Sequence, residues 1–130
     1  MSYSVIATLV HGEQIRLSFT VGWIADLSGY TVSARLVEGF NDGSGSIPLI
    51  EDATLVITTL PILNKSGNGF QVVIPATAID TWNVKPTPSN PVYGFFDLQI
   101  QDAGVGDAQQ IFRPVQGLIQ FNYSPFESVA

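Results

Sequence analysis

The feature that most constrains this chain is a hydrophobic period of two. In Ile15-Arg16-Leu17-Ser18-Phe19-Thr20-Val21 every odd residue is apolar and every even one polar. Successive side chains of an extended strand point to opposite faces, so such a run offers one face to a core and the other to water or a partner. The same alternation recurs in Tyr30 to Leu36, Phe70 to Ile74, Phe96 to Gln101 and Val115 to Tyr123. Residues 1–10, with Tyr3 and the β-branched pair Val5 and Ile6, read as a first strand. Ala53 to Leu60 reads as a more buried strand, because Leu55, Val56 and Ile57 are consecutive. Turn residues fill the gaps at 26–29, 41–46, 64–69 and 104–107, and short links of this kind join antiparallel neighbours. The expectation is an all-β chain: a single antiparallel β-sandwich domain over residues 1–130, with about seven to eight strands burying two inner faces against each other. Pro75 to Trp82 predicts one short helical turn crossing between the sheets. Val84 to Pro91, rich in proline, reads as an extended connection.

Composition narrows the function. Hydrophobic residues make up 45% of the 130 and charged ones only 12%, about half the usual share of ~25%, so something other than charge covers the surface. A net charge of −6 builds no cationic face for phosphates, which excludes nucleic acid as a partner. The chain has no Cys and one His, removing disulfides, thiol nucleophiles, Cys/His zinc sites and His-based triads. No apolar run reaches the ~20 residues of a membrane span, so no membrane is expected, and no basic segment marks an export signal. His11, beside Gly12, reads as a solvated turn residue. The adjacent carboxylates Glu51 and Asp52 alternate in direction on a strand and do not converge on one bond. The acidic, Gly-rich loops at 42–46 and 102–107 lack the ligand ladder of a calcium loop, and Gly104-Val105-Gly106 precedes no helix. We expect no enzyme, no catalytic residue, no cofactor and no metal.

The informative residues are apolar side chains on the wrong phase. Val73 opposes the inward set of Phe70, Val72 and Ile74; Leu118 opposes Ile119; Tyr93 and Phe95 oppose Phe96. Val73, Tyr93, Phe95 and Leu118 are therefore candidate interface residues, with a second reading in which a loop such as 83–91 covers them and Trp82 packs beneath. The other outward residues, including Thr31, Ser33, Gln99, Gln101, Gln116 and Gln120, are neutral. Neutral polar groups cost less to desolvate than charges, so the face suits permanent burial in an assembly. The alternative is a carbohydrate-binding module, in which Trp23, Trp82 and Tyr93 would form an exposed platform for a glycan.

Five segments in order carry a family resemblance: Gly12 to Phe19 (GEQIRLSF), Trp23 to Thr31 (WIADLSGYT), Phe70 to Thr77 (FQVVIPAT), Tyr93 to Leu98 (YGFFDL) and Phe112 to Gly117 (FRPVQG). Together they resemble the small immunoglobulin-like β-sandwich domain of tailed-phage virion proteins, including the N-terminal domain of upper baseplate proteins and fibre-associated modules. The resemblance spans nearly the whole chain and implies an immunoglobulin-like fold and a location in the virion. It also implies a structural role by protein–protein assembly: capsid decoration or cement, or an adaptor in tail, baseplate or fibre. Its partners would be other virion proteins and further copies of itself in a homo-oligomer. Two departures stand out. The proline-rich 84–91 loop is longer than in the family pattern, and no fibre-like extension follows within these residues, which favours decoration or adaptor roles. Within the pattern, Asp26 is expected to cap the following backbone while Gly29 takes a positive φ, Arg113-Pro114 to interrupt pairing, and Gly117 to permit a bulge or close approach.

Overall fold

The computed structural model describes residues 4–38, 56–102 and 110–125. Eight strands run through them: β1 (Val5–Val10), β2 (Ile15–Thr20), β3 (Tyr30–Glu38), β4 (Ile57–Leu60), β5 (Ile62–Ser66), β6 (Gly69–Ile74), β7 (Val92–Asp102) and β8 (Ile111–Asn122). They form a five-stranded sheet in the order β1-β8-β7-β3-β4 and a three-stranded sheet in the order β2-β6-β5. The alternating residues meet between the sheets. Phe19 on β2 stacks on Phe70 of β6 at 5.6 Å and on Phe96 of β7, in the opposite sheet, at 6.1 Å. Leu36, Leu98, Ile100, Ile119, Val72 and Ile74 are buried in the same cluster. Each such side chain contributes about 1.5–3 kcal/mol on leaving water, which is why the inner phase of every long strand is apolar.

The wholly antiparallel arrangement expected from the short turns is corrected at one edge. β1 pairs parallel with β8, from Val5↔Leu118 to Val10↔Asn122, with an irregularity between Val5 and Ala7. β2 lies in the other sheet, so β1 has no hairpin partner beside it and joins the last strand instead. Gly117 permits this approach. A Cβ there would stand 2.6 Å from the Ile6 Cγ2 methyl, while the Leu118 N–H donates to the Ser4 carbonyl at 2.9 Å.

β5 is absent from the alternation pattern because Ile62 and Leu63 are consecutive and three polar residues follow. Only Pro61 separates β4 from β5 as the chain changes sheets, and its carbonyl accepts the Val73 N–H at 3.0 Å. Asn64 (φ 55°) takes left-handed backbone inside β5, where the pairing with β6 is irregular between Leu63 and Ser66, and Gly67 (φ 58°) does so at the turn into β6. The Arg113-Pro114 expectation is met: the β7–β8 register slips between Leu98 and Ile100, opposite those two residues.

Two local expectations are corrected. Pro75 to Trp82 forms no helix. Ala78, Asp80 and Trp82 donate to the carbonyls of Pro75, Thr77 and Ile79, giving successive three-residue closures. These place Ala78, Ile79 and Trp82 in the core, a gain that a free single helical turn lacks. Gly29 has no positive φ; such glycines among the described residues are Gly12 and Gly67. The turn still forms, because the Asp26 carboxylate accepts the Ser28 N–H at 2.9 Å and the Leu27 carbonyl accepts the Tyr30 N–H at 2.9 Å.

Candidate functional site: the outer face of the five-stranded sheet

The register assembles the outer face row by row. Ile57, Val37, Phe95 and Leu118 lie side by side across β4, β3, β7 and β8, followed along the strands by Thr59, Arg35, Asp97 and Gln116. Ser33 and Gln99 pair next, then Thr31 and Gln101. The face therefore grades from an apolar end, through one ionic row, to a neutral end of hydroxyls and amides. Neighbouring amides bond one another: Gln99 Nε2 donates to Gln101 Oε1 at 3.3 Å, and Gln120 Nε2 to Asn122 Oδ1 at 2.8 Å.

Asp97 holds the ionic row together and is 2% exposed. Its Oδ2 accepts from Arg35 Nε at 3.3 Å and Arg113 Nη1 at 3.2 Å, with Arg35 Nη2 in ion-pair contact at 3.2 Å, and its Oδ1 accepts from Gln116 Nε2 at 3.2 Å. A buried carboxylate is sustained only by partners of this kind. Two of the chain's five basic residues converge on one acid, so the carboxylate is fully paired and the group keeps a net charge of +1. Arg35, Asp97, Ser33, Thr59 and Gln99 line a shallow depression of about 130 Å³. The sequence alone does not connect Asp97 with Arg35. The signal that links them is the strand register, which one sequence does not display.

The out-of-phase residues are where the alternation puts them, off the main core. Phe95 and Leu118 form a second buried cluster with Val37, against which the half-buried Tyr93 packs. Val73 lies on the three-stranded sheet, opposite Arg16, and is also buried. Val73, Phe95 and Leu118 are thus already covered within the single chain, and among the described residues the large apolar side chains left exposed are others: Val5, Ile6 and Val10 on the β1 edge, Trp23, Ile57, Val84 and Ile111. Val37 belongs to the same outer set, and its signal in the sequence is the adjacent pair Leu36-Val37.

The three aromatics of the platform reading do not come together. Trp82 is 2% exposed and packs edge-on against Phe121 at 5.5 Å, which removes it from any exposed surface and from the place beneath an outer-face loop. Tyr93 pairs with Gln120 near the same end of β8. Trp23 is 60% exposed and meets Phe112 edge-on at 6.1 Å. Phe112 and Phe121 are nine residues apart on β8, about 30 Å at ~3.3 Å per residue.

His11 is not merely solvated: its Nε2 lies 3.2 Å from Asp80 Oδ1, joining the β1–β2 turn to the β6–β7 crossover. Glu38, buried at the end of β3, accepts main-chain N–H groups of Asn83, Val84 and Val56 and so holds loops. Asp102 Oδ1 accepts the Gln110 N–H at 3.0 Å, but residues 103–107 of that acidic loop, the whole 42–46 loop and the Glu51-Asp52 pair lie outside the described residues. Among the described residues no three His, Cys, Asp or Glu side chains are placed to share a metal ion. Compared with models of known protein families and with curated protein sequences, the chain matches none.

Proposed function

We propose that this protein is a structural component of a tailed-phage virion, an immunoglobulin-like module that acts by protein–protein assembly and catalyses no reaction. The strand order supports the fold reading: β8, β7, β3 and β4 share one sheet, with β1 parallel at its edge, and β2, β6 and β5 the other, an order like the GFCC′ and BED division of immunoglobulin sandwiches, with the first strand moved to the larger sheet. The observation that carries the functional reading is the outer face of the larger sheet. Thr31, Ser33, Gln99 and Gln101 are neutral, and the ionic row beside them pairs its charges on Asp97 and leaves a net charge of only +1. Burying such a face against a partner costs less than burying isolated charges. Exposed Ile57 and Ile111 on its flanks add apolar area. The partners are other virion proteins and further copies of this chain.

The test is incorporation. Quantitative mass spectrometry of purified particles should find the protein at a fixed copy number, and Gln99→Lys, which adds a second unpaired positive charge beside the surplus guanidinium, should lower that number while circular dichroism stays unchanged. Protein that is present in the lysate but absent from purified particles overturns the reading.

A further inference from the structure

The strands β1, β4, β2 and β5 stand at sheet edges, and all but β2 carry features by which natural sheets discourage further pairing. β4 has four residues and ends at Pro61. β5 bears Lys65 and pairs irregularly between Leu63 and Ser66. β1 is irregular between Val5 and Ala7, and Glu13 engages both main-chain groups of Val10: its carboxylate accepts the Val10 N–H at 3.1 Å and its own N–H donates to the Val10 carbonyl at 2.9 Å. β2 is regular throughout. It pairs with β6 in unbroken register from Ile15↔Ile74 to Thr20↔Gly69, and among the described residues no strand pairs with its other side.

The open side of β2 has a definite phase. Just past the strand, the Val21 N–H donates to the Asn68 carbonyl at 2.9 Å. Alternate residues of an antiparallel strand carry the bonds to one neighbour, so Ile15, Leu17 and Phe19 aim their main-chain groups at β6, and Arg16, Ser18 and Thr20 aim theirs away from it. The inward side chains Ile15, Leu17 and Phe19 are only half-buried, although Phe19 stacks on Phe70 and Phe96 in the core. The edge thus leaves open both a row of main-chain donors and acceptors and the flank of the core behind it.

We propose that this edge pairs with the same edge of a second copy, antiparallel about a two-fold axis at Ser18, joining the two small sheets into one. In that register Ser18 faces the partner's Ser18, and Arg16 faces the partner's Thr20. All three outward residues then form hydrogen-bonded pairs, about six main-chain bonds in total. Leu17 comes beside the partner's Phe19, covering the half-buried inner row. Arg16 selects this register over one centred on itself, because directly opposed guanidiniums repel, and a closed two-fold contact uses the edge up. Residues 11–14 join β1 to β2, so the exposed Val5, Ile6 and Val10 of β1 flank the pairing strand. The strand is about 20 Å long and the stacked edges span ~10 Å plus side chains, a footprint of roughly 400–500 Å² per copy. That is smaller than the ~800 Å² per partner of a tight complex, so the dimer is reversible, with a dissociation constant of roughly 10–500 µM. This surface is separate from the outer face of the larger sheet, and the inference does not rest on the virion reading, because it is tested on the isolated chain.

Sedimentation velocity of the full chain from about 10 µM to about 1 mM should show a reversible rise from one copy to two. Ser18→Lys sets like charges opposite each other and should weaken the dimer at least about tenfold. Ser18→Pro removes a donor that points away from β6 and should weaken it similarly, with thermal denaturation showing that both variants remain folded. The chain has no Cys, so Ser18→Cys carries a single thiol. A hydrogen-bonded antiparallel pair places Cα atoms ~5.5 Å apart, within disulfide reach, and mild oxidation should link two copies through that position. Asn64→Cys, on the β5 edge, should link far more slowly. A single-copy mass up to about 1 mM overturns the proposal, as does a dimer that both Ser18→Lys and Ser18→Pro leave intact. Linking in Asn64→Cys that matches or outpaces Ser18→Cys assigns the contact to another edge and overturns it too.

Discussion

Glu38 and Asn83 are joined twice: the carboxylate accepts the Asn83 main-chain N–H at 2.5 Å and its side-chain amide at 2.8 Å. The same side chain takes the Val84 N–H at 3.2 Å and the Val56 N–H at 3.4 Å. One buried acid thus fixes both the β6–β7 crossover and the entry to β4, and it does so beside Trp82, the residue that closes that end of the core.

Glu38→Ala should cost about 3 kcal/mol, since several charge-assisted bonds are lost and the main-chain N–H groups of Val56, Asn83 and Val84 lose their carboxylate acceptor. Glu38→Gln, which turns one acceptor into a donor facing N–H groups, should cost about 2 kcal/mol. Urea denaturation measures both. A loss below about 1 kcal/mol in the alanine variant would show that the crossover is held by other contacts.

Asp97 should matter more than either of its arginines. Removing the carboxylate leaves two guanidiniums unpaired, but Arg113 is 47% exposed at its side chain and rehydrates. Asp97→Ala should cost about 2–3 kcal/mol and Arg113→Ala below about 1 kcal/mol. Equal losses in the two variants would contradict a shared central acid, and a double-mutant cycle with Arg35 measures the coupling.

Gly94 makes room for the indole of Trp82. A Cβ at that position would lie 2.6 Å from Trp82 Cη2 and 2.7 Å from Leu36 Cδ1. Gly94→Ala should therefore destabilise by about 1–3 kcal/mol through overpacking. In the Trp82→Phe background the added cost should shrink, because the smaller ring vacates the space. Additive losses by thermal denaturation would mean that the ring is not the obstacle.

Gly67 poses a pure backbone question. Its φ is 58° and no atom lies within 4 Å of a Cβ built there. Gly67→Ala should cost about 1 kcal/mol from left-handed strain, and Gly67→Asn clearly less, because Asn tolerates that region. Equal Tm values for the two variants would show that the turn relaxes to another conformation.

Legibility followed the physical range of each signal. Alternation is local, so the strands containing Phe19, Val32, Val72, Leu98 and Ile119 could be read directly, as could the outward phase of Val73, Phe95 and Leu118. The Asp26 cap was legible for the same reason, since its acceptor and donor are two residues apart. β5 was not, because Ile62-Leu63-Asn64 carries no period and its place on the edge of the smaller sheet is set by pairing with β6. Gly29 shows the limit of local reasoning in the other direction, since a hydrogen bond from Tyr30 to Leu27 closes the turn without any left-handed residue.

What the sequence determined by itself was the all-β class and the inner and outer phase of each alternating strand, because a period of two sorts side chains without reference to the rest of the chain. Only the tertiary structure decided which outer residues meet. Arg35, Asp97 and Gln116 are far apart in the chain and share one row because β3, β7 and β8 are neighbours in one sheet. Trp82 became core and Trp23 stayed exposed for a reason of the same kind. The turns at 75–82 fold one indole over Gly94 between the sheets, while the stitched loop at 21–29 holds the other at the rim against Phe112.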